Sequence, residues 1–464
     1  MQHIHRSLRI TLALLTALVP GALRAQPTSR PAAVRSDSQQ ATRAISFDEA
    51  VRIALEQNID LRTARNAAAL DAVSVRQARM QFLPNLAAST STSQAYGRNF
   101  NQNEGQITNA TTNSVTAGVQ SGVTLFNGLA NVANLRAAKL TEDASTQDYR
   151  RARQTVVFTV VSNFLTLIQA REQLRVQQEN LTAAEALEKQ IQEYVNGGAK
   201  TIADLYQQQA VVASARFSAV DAQRAAEVAK VDLMQTLQLD PQGSFDFTAP
   251  PIGTDSTPGQ HYQLDQLLSR ALSQRPDISA SATRTGAASQ EIRAAKAGHW
   301  PTLQLSAGYN TAYTSASDVN LLEQFNQRRG GSVALSFTIP LFDRGAASTA
   351  TQQAQIRAEN ARLALESTRQ DAGLQVRRAY LDYQAAQEQL RTAQAQLQAA
   401  QLAMEASLQR YEVGAGTLVE LAQARAALVQ ASSQLVSARY NLVFQRTLVD
   451  YYVGDLNPES VRLQ

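Results

Sequence analysis

This 464-residue chain is written twice. Phe82-Leu-Pro-Asn-Leu86 recurs as His299-Trp-Pro-Thr-Leu303, with Pro84 and Pro301 standing 217 residues apart. Ala54-Leu-Glu-Gln-Asn-Ile-Asp60 recurs as Ala271-Leu-Ser-Gln-Arg-Pro-Asp277 at the same offset, which also carries Gly197 onto Gly414. Leu125-Phe-Asn-Gly128 recurs as Leu341-Phe-Asp-Arg-Gly345, its phenylalanines 216 apart, reading as one residue inserted before the glycine. Such a period far exceeds the roughly 20–50 residues of a solenoid repeat. The chain therefore holds two copies of a whole subdomain, and every element must be placed twice.

Each copy contains a turn of one design. EYVNGGAKTIADL (Glu193–Leu205) and RYEVGAGTLVEL (Arg410–Leu421) share a Tyr, two residues, a Gly, a small-residue turn, a Thr, two residues, an acid and a Leu. That order predicts helix-turn-helix. Gly197 and Gly414 suit the left-handed conformation that ends a helix. Thr201 and Thr417 suit the N-cap of the next helix, and Asp204 and Glu420, three residues on, suit a capping box.

The segments leading into these turns contain no proline from Leu129 to Tyr194 or from Gly345 to Tyr411, predicting helices on the order of 100 Å long. Apolar residues recur at sevens: Val160, Leu167, Leu174 and Leu181 in the first; Val376, Tyr383, Leu390, Leu397, Met404 and Tyr411 in the second. Leu421, Leu428, Leu435, Leu442 and Val449 continue the pattern after the second turn. A sustained seven-residue repeat means left-handed coiled-coil packing. Ahead of the first hairpin, a short helix over Ile45 to Gln57 opens on Ser46 as N-cap with Glu49 three on, Asn58 breaks it, and a second helix runs from Asp60 to Phe82. Leu83-Pro84 ends that helix, because the residue before proline avoids helical angles.

Period two replaces period seven in between. Val115, Ala117, Val119, Val123 and Leu125 alternate with Ser114, Thr116, Gln120 and Thr124. In the second copy Leu303, Leu305, Ala307, Tyr309 and Tyr313 alternate with Gln304, Ser306, Gly308 and Asn310, and Val333, Leu335, Phe337, Ile339 and Leu341 do so with Ser332, Ala334, Ser336 and Thr338. Each copy thus carries a hairpin of strands with one apolar and one polar face, crossed by a polar loop near residues 97–111 or 315–330. The organisation expected is a signal peptide (1–25), a flexible leader (26–44), a first repeat (45–240; strands about 86–96 and 113–126, helical hairpin 129–239), a linker (241–261), a second repeat (262–453; strands about 303–314 and 331–341, helical hairpin 345–452) and a tail (454–464). The fold class is mainly α with a small β part.

Composition excludes several functions. Arg6 and Arg9, an apolar run from Ile10 to Val19 and Leu23-Arg-Ala25 mark a secretory signal, since about ten apolar residues are too few for a membrane anchor. The net charge of +4 falls to about +1 once the three arginines of residues 1–25 are removed, and no basic patch suits nucleic acid. Cysteine is absent, which removes disulfides, thiolate metal sites and a lipid-modified N-terminal cysteine. Only His261 and His299 remain beyond the signal, so no metal site, catalytic residue or cofactor is expected. Each strand reaches the ~9–11 residues that a tilted membrane strand needs. Four strands cannot close a barrel, and an open edge in lipid leaves backbone groups unpaired at several kcal/mol each. Copies must therefore share a barrel, unless the hairpins are soluble caps on a coiled coil.

The duplicated order of short helix, break, helix, proline motif, hairpin, LF(N/D)G-like motif, long helix, YxxG…T turn and helix resembles the TolC family of outer-membrane efflux channels over about residues 45 to 453. The resemblance implies a homotrimer with a twelve-stranded transmembrane barrel and a twelve-helix periplasmic α-barrel. It implies an exit duct of a tripartite efflux or type I secretion system, carrying small molecules or polypeptides outward. The partners it implies are a periplasmic adaptor and an inner-membrane pump of RND, ABC or MFS type, in the outer-membrane lipid of a Gram-negative bacterium. It gives Glu420, with Gln423 where a second acid stands in the family and Asp204 in the matching first-repeat position, as the periplasmic constriction. Capping alone also accounts for both acids. Gly416 stands where the family has a latching arginine. The turns themselves (Gly197, Gly198, Thr201, Gly414, Gly416, Thr417) are the expected adaptor-docking tips, with turn chemistry as the plainer role. Tyr96, Phe100, Tyr309 and Tyr313 suit a membrane aromatic girdle or ordinary strand packing. The alternative class is a non-channel periplasmic coiled-coil scaffold bridging the envelope.

Overall fold

The computed structural model describes residues 42–101, 105–248 and 262–456. The expected signal peptide, the expected leader up to residue 41, most of the expected linker and the end of the expected tail lie outside them.

Two helical hairpins form the body. In the first, α3 (Ala130–Asn196) turns into α4 (Ile202–Thr236); in the second, α8 (Ala346–Glu412) turns into α9 (Leu418–Val453). Helices α3 and α8 each run 67 residues, about 100 Å at 1.5 Å per residue. The large residues seen at sevens are buried or half-buried. They are half of the seam. Ala372, Ala379, Ala386 and Ala393 also recur at sevens on α8, are buried, and interleave with Val376, Tyr383 and Leu390 at spacings of three and four. An alanine-rich seam lets helix axes approach, and alanine's weak hydrophobic signal hides it in the sequence.

The neighbours of each helix define a layer. Helix α4 packs on α3, α3 on α9, and α9 on α8; towards the sheet, α2 (Ile59–Met80) packs on α3 and α6 (Pro276–Lys296) lies between α3 and α8. Helices α2 and α4 thus border one side of the layer and α8 the other.

At the waist, the expected leader and linker are not featureless. β1 (Arg43–Ser46) pairs in parallel with β4 (Phe245–Thr248), so Ile45 is strand rather than the start of α1 (Phe47–Gln57). Ile45 and Phe247 are buried, and Phe47 and Phe247 set their rings edge-on to Phe164 of α3. Four-residue strands carry too few positions to display a period. Ser46 caps α1 through the Glu49 amide, while the Glu49 carboxylate turns away to Arg43 at 2.6 Å.

The break between α5 (Leu264–Gln274) and α6 holds a buried charge. Asn58 caps α2 in the first repeat by accepting from the Leu61 amide. Arg275 takes its place in the second and cannot cap. Its guanidinium, 4% exposed, forks onto Asp277 at 3.0 and 2.6 Å and donates to Gln375 Oε1 on α8 and the Tyr452 carbonyl on α9. Arg151 of α3 stands 4.0 Å from the same carboxylate and stacks over the Tyr451 ring. Burial alone would raise the Asp277 pKa, but the Arg275 fork and Arg151 outweigh it and hold the carboxyl below its ordinary value.

The sheet has strand order β2-β3-β5-β6 and is antiparallel throughout. β2 (Asn85–Asn101) and β3 (Gln106–Asn127) are longer than the alternation suggests, and most of the loop expected at 97–111 is strand. β5 (Thr302–Thr314) has its expected span, β6 (Gly330–Thr338) ends three residues early, and the loop between them contains a helix, α7 (Leu321–Gln327). Strands β2 and β6 are the open edges.

Candidate functional site: the hairpin tips and the sheet

The two tips superpose at an offset of 216, not 217. The Tyr194 carbonyl accepts from the Ala199 and Lys200 amides, and the Arg410 carbonyl accepts from Ala415 and Gly416 in the same way. The backbone counterpart of Tyr194 is therefore Arg410, and that of Gly416 is Lys200. Gly198 has φ +74° and Gly414 +76°, whereas Gly197 is right-handed at −82°. Gly198, not Gly197, is the left-handed residue that matches Gly414. Adjacent glycines leave the choice open in sequence.

The helix starts above the tips obey the same offset. Gly128 and Leu129 have positive φ, as do Arg344 and Gly345, so no residue is inserted; the glycine occupies the first place of the pair in one repeat and the second in the other. Gly128 is required where it stands, because a Cβ there would lie 2.8 Å from the Ala297 carbonyl oxygen and Trp300 Cβ. Asn127 and Asp343 cap the helices by accepting from the amides of Asn131 and Ala347. These bonds from Ala347, then Gly345, hold the Asp343 carboxyl below its usual value.

The capping box is complete only at the first tip. Asp204 accepts from the Thr201 amide at 3.1 Å while Thr201 Oγ1 accepts from the Asp204 amide at 3.2 Å. At the second tip Thr417 Oγ1 accepts from the Glu420 amide, but the Glu420 carboxylate pairs instead with Arg410, Nη2 to Oε2 3.3 Å. The same Nη2 donates to the Ala415 carbonyl. Glu420 is thus a half-neutralised acid held across its own turn. Gln423 is exposed and Asp204 half-buried. Gly416 fits tightly, a Cβ there meeting Arg410 atoms at 3.2–3.3 Å.

The tips also grip each other. Tyr411 is buried with Leu187, Ile191 and Leu205 of the first hairpin and Leu418 and Leu421 of the second. Lys200 Nζ lies over the Tyr411 ring, 4.2 Å from its centre. Burial raises the Tyr411 pKa, and the Asp204 charge adds to the effect. Sequence matching by type hid this contact, because it set Tyr411 against Tyr194 when the two stand on different sides of their helices.

In the sheet, register collects the apolar side chains of all four strands on one face. Leu303, Leu305 and Ala307 pair with Phe126, Val123 and Ser121 on one side and with Phe337, Leu335 and Val333 on the other. The opposite face carries Ser91, Ser93, Ser114, Thr116, Gln120, Gln304 and Ser306. Its hydroxyls bond across strands, Ser91 to Thr116 at 2.7 Å and Ser93 to Ser114 at 2.8 Å. Tyr96, Phe100, Tyr309 and Tyr313 share the apolar face but not a depth, standing opposite Thr111, Ile107, Val119 and Val115. They form no single belt. Tyr309 also has a packing role, its ring lying against Gly331. No described helix is long and apolar enough to cross a membrane.

Duplicated coiled-coil hairpins carrying an open sheet with one apolar and one polar face define the class of protein. The sequence profile of outer membrane efflux proteins matches residues 50–237 and 267–450, and the chain belongs to that family, one of channels rather than enzymes, in the outer membrane of Gram-negative bacteria. Protein CyaE of Bordetella pertussis is 28% identical over 56% of this chain and 54% of its own. The pyoverdine export outer membrane protein OpmQ of Pseudomonas aeruginosa is 26% identical over 46% of this chain and 43% of its own. The chain thus aligns with about half the length of these curated relatives. The CmeC outer membrane channel of Campylobacter jejuni shares the fold with a TM-score of 0.77, covering 90% of this chain and 87% of its own at 20% identity.

Proposed function

We propose that three copies close head-to-tail into one duct through which small molecules or polypeptides leave the periplasm. The observation that carries this is the match between the two borders of the molecule. One border presents the open edge of β2 with exposed apolar residues of α2 and α4, among them Leu70, Phe217 (75% exposed) and Val220; the other presents the open edge of β6 with Ile356, Leu363, Leu381 and Leu402 of α8. Different surfaces on opposite borders make a heterologous contact, which forms a ring when its rotation closes. Neither edge can face lipid unpaired. Four strands per copy make twelve in a trimer.

The sheet suits a bilayer. From Leu303, level with Phe126 and Phe337, to Tyr313 is ten residues along β5; at about 3.3 Å per residue and a tilt of ~40° this covers roughly 25 Å, the height of an outer-membrane apolar band. Phe126 and Phe337 supply aromatics at the helical end and Tyr313 at the far end. The serine- and threonine-rich face lines the lumen, and the helical hairpins extend the duct into the periplasm.

At the tips, Glu420 from each copy forms the entrance ring, with Arg410 as its own counter-ion and Asp204 on the neighbouring turn. Gly197, Gly198, Thr201, Gly414, Gly416 and Thr417 present the turns to a periplasmic adaptor, which links the duct to an inner-membrane pump. The duct itself is passive and uses no cofactor. The pyoverdine export named for OpmQ supports outward traffic through the duct.

Planar-bilayer conductance of the unheated, detergent-purified protein, with oligomer mass from the same sample, tests this reading. A trimer mass with small, flickering conductance is expected. A non-conducting monomer overturns it in favour of a periplasmic coiled-coil scaffold.

A further inference from the structure

We infer that the outward rim of the sheet, at α7, binds the phosphorylated headgroup of a lipid in the outer leaflet. This rests on the reading that the sheet spans the membrane.

The rim is a built feature. β6 stops at Gly330, opposite Asn310, which leaves the edge of β5 open from Thr311 to Thr314. Gln324 of α7 fills that gap. It is 1% exposed; its Oε1 accepts from the Thr314 amide at 3.0 Å, and its Nε2 donates to the carbonyls of Thr314 and Val319 at 3.0 and 2.6 Å. The side-chain amide bonds the edge as a strand would. The Thr311 hydroxyl donates to the Phe325 carbonyl at 2.8 Å and fixes the other side.

So seated, α7 holds Leu321 and Leu322 out in the open, Leu322 at 80% exposure. Arg328 and Arg329 follow, both exposed and neither with a side-chain partner among the described residues. The acids of the segment are Asp318 and Glu323, and the Glu323 carboxylate is occupied by the amides of Asn320 and Gln327. Farther out on β2, Arg98 shares the apolar face with Tyr96 and Phe100.

Depth decides what this combination meets. Thr311 to Thr314 lie eight to eleven residues beyond Leu303, at the outer limit of the ~25 Å apolar band. The leucines then meet acyl chains and the guanidiniums the layer of charge above them. Adjacent apolar and unpaired cationic groups at that level fit an anionic lipid. A free anion has no use for the leucines.

The probe is diphosphoryl lipid A, titrated into the full-length protein in nonionic detergent and read by native mass spectrometry, with dephosphorylated lipid A and inorganic phosphate in parallel. The diphosphoryl form should bind preferentially, R328Q/R329Q should weaken it by about tenfold or more, and R328K/R329K should restore most of the loss. Unchanged binding in R328Q/R329Q, equal binding of the dephosphorylated lipid, or displacement by millimolar phosphate each overturns the inference. Flotation with phosphatidylcholine vesicles separates this from the function above. If the natural protein fails to float, the membrane reading fails and takes the rim with it. If both proteins float and the phosphate preference is absent, the rim alone fails.

Discussion

Glu420 and Asp204 occupy matching positions and do different work. The Asp204 carboxylate closes its capping box, so Asp204→Ala should cost the first turn of α4 about 1 kcal/mol, read as faster amide exchange there. Glu420→Ala should leave the first turn of α9 nearly as protected, because its carboxylate is turned to Arg410. Equal loss at both turns would contradict the asymmetry. For conduction the pair works in opposition: Arg410→Gln should raise cation preference in planar bilayers and Glu420→Gln lower it, and reversal potentials unmoved by either change would remove both from the entrance. At the waist, Asp277→Asn strands the buried Arg275 and should destabilise the protein by on the order of 3 kcal/mol at neutral pH. The sign with pH follows from the lowered Asp277 pKa. The stabilisation is present above the unfolded carboxylate pKa and disappears as pH falls through the lower folded value, so natural and variant proteins should converge in acid. Denaturant midpoints across pH 2–7 measure this. The Thr201–Asp204 capping box was legible as a motif; the ion pairs were not, because the Arg275 fork reaches α6, α8 and α9 and Arg410 meets Glu420 across a turn.

Among the elements, what the sequence displays depends on length and on side-chain size. The strands show their faces because large apolar residues alternate, and register does the rest. Ala307→Arg, near the middle of the apolar face, should cost roughly 2–4 kcal/mol if that face meets lipid and deplete folded protein from the outer-membrane fraction; Ser306→Arg, one residue away on the polar face, should not. The long helices show half of their seam, through Val376, Tyr383 and Leu390, while the alanines between them are silent. Ala379 is buried against Leu267 and Val449, and Ala379→Leu should cost about 1–3 kcal/mol by overpacking, a lowered melting temperature being the readout. β1, β4 and α7 were missed for a common reason. Four to seven residues give too short a window for any period, and their places are set by distant partners such as Phe164 and Thr314.

For the whole molecule, one copy is an open strip with two unlike borders. Phe217→Asp places a charge on the exposed stripe of α4 and should yield monomers by light scattering after chromatography, with the hairpins still helical by circular dichroism. A persistent trimer would move the contact elsewhere. Duplication supplies the strip's width, and it was plain in the sequence. Its phase was not. The copies stand 217 residues apart up to Pro84 and Pro301 but 216 apart from Phe126 and Phe342 through both tips. The first copy thus spends one more residue between proline and helix, and β3 carries a bulge where Leu125 has no partner on β5. In a helix, one surplus residue would rotate everything beyond it by about 100° and carry the seam off its partner for the rest of its length. In a strand it can be absorbed within a few residues. The sheet therefore acts as a slip joint for drift in length, leaving two helical columns of equal height whose tips end in step.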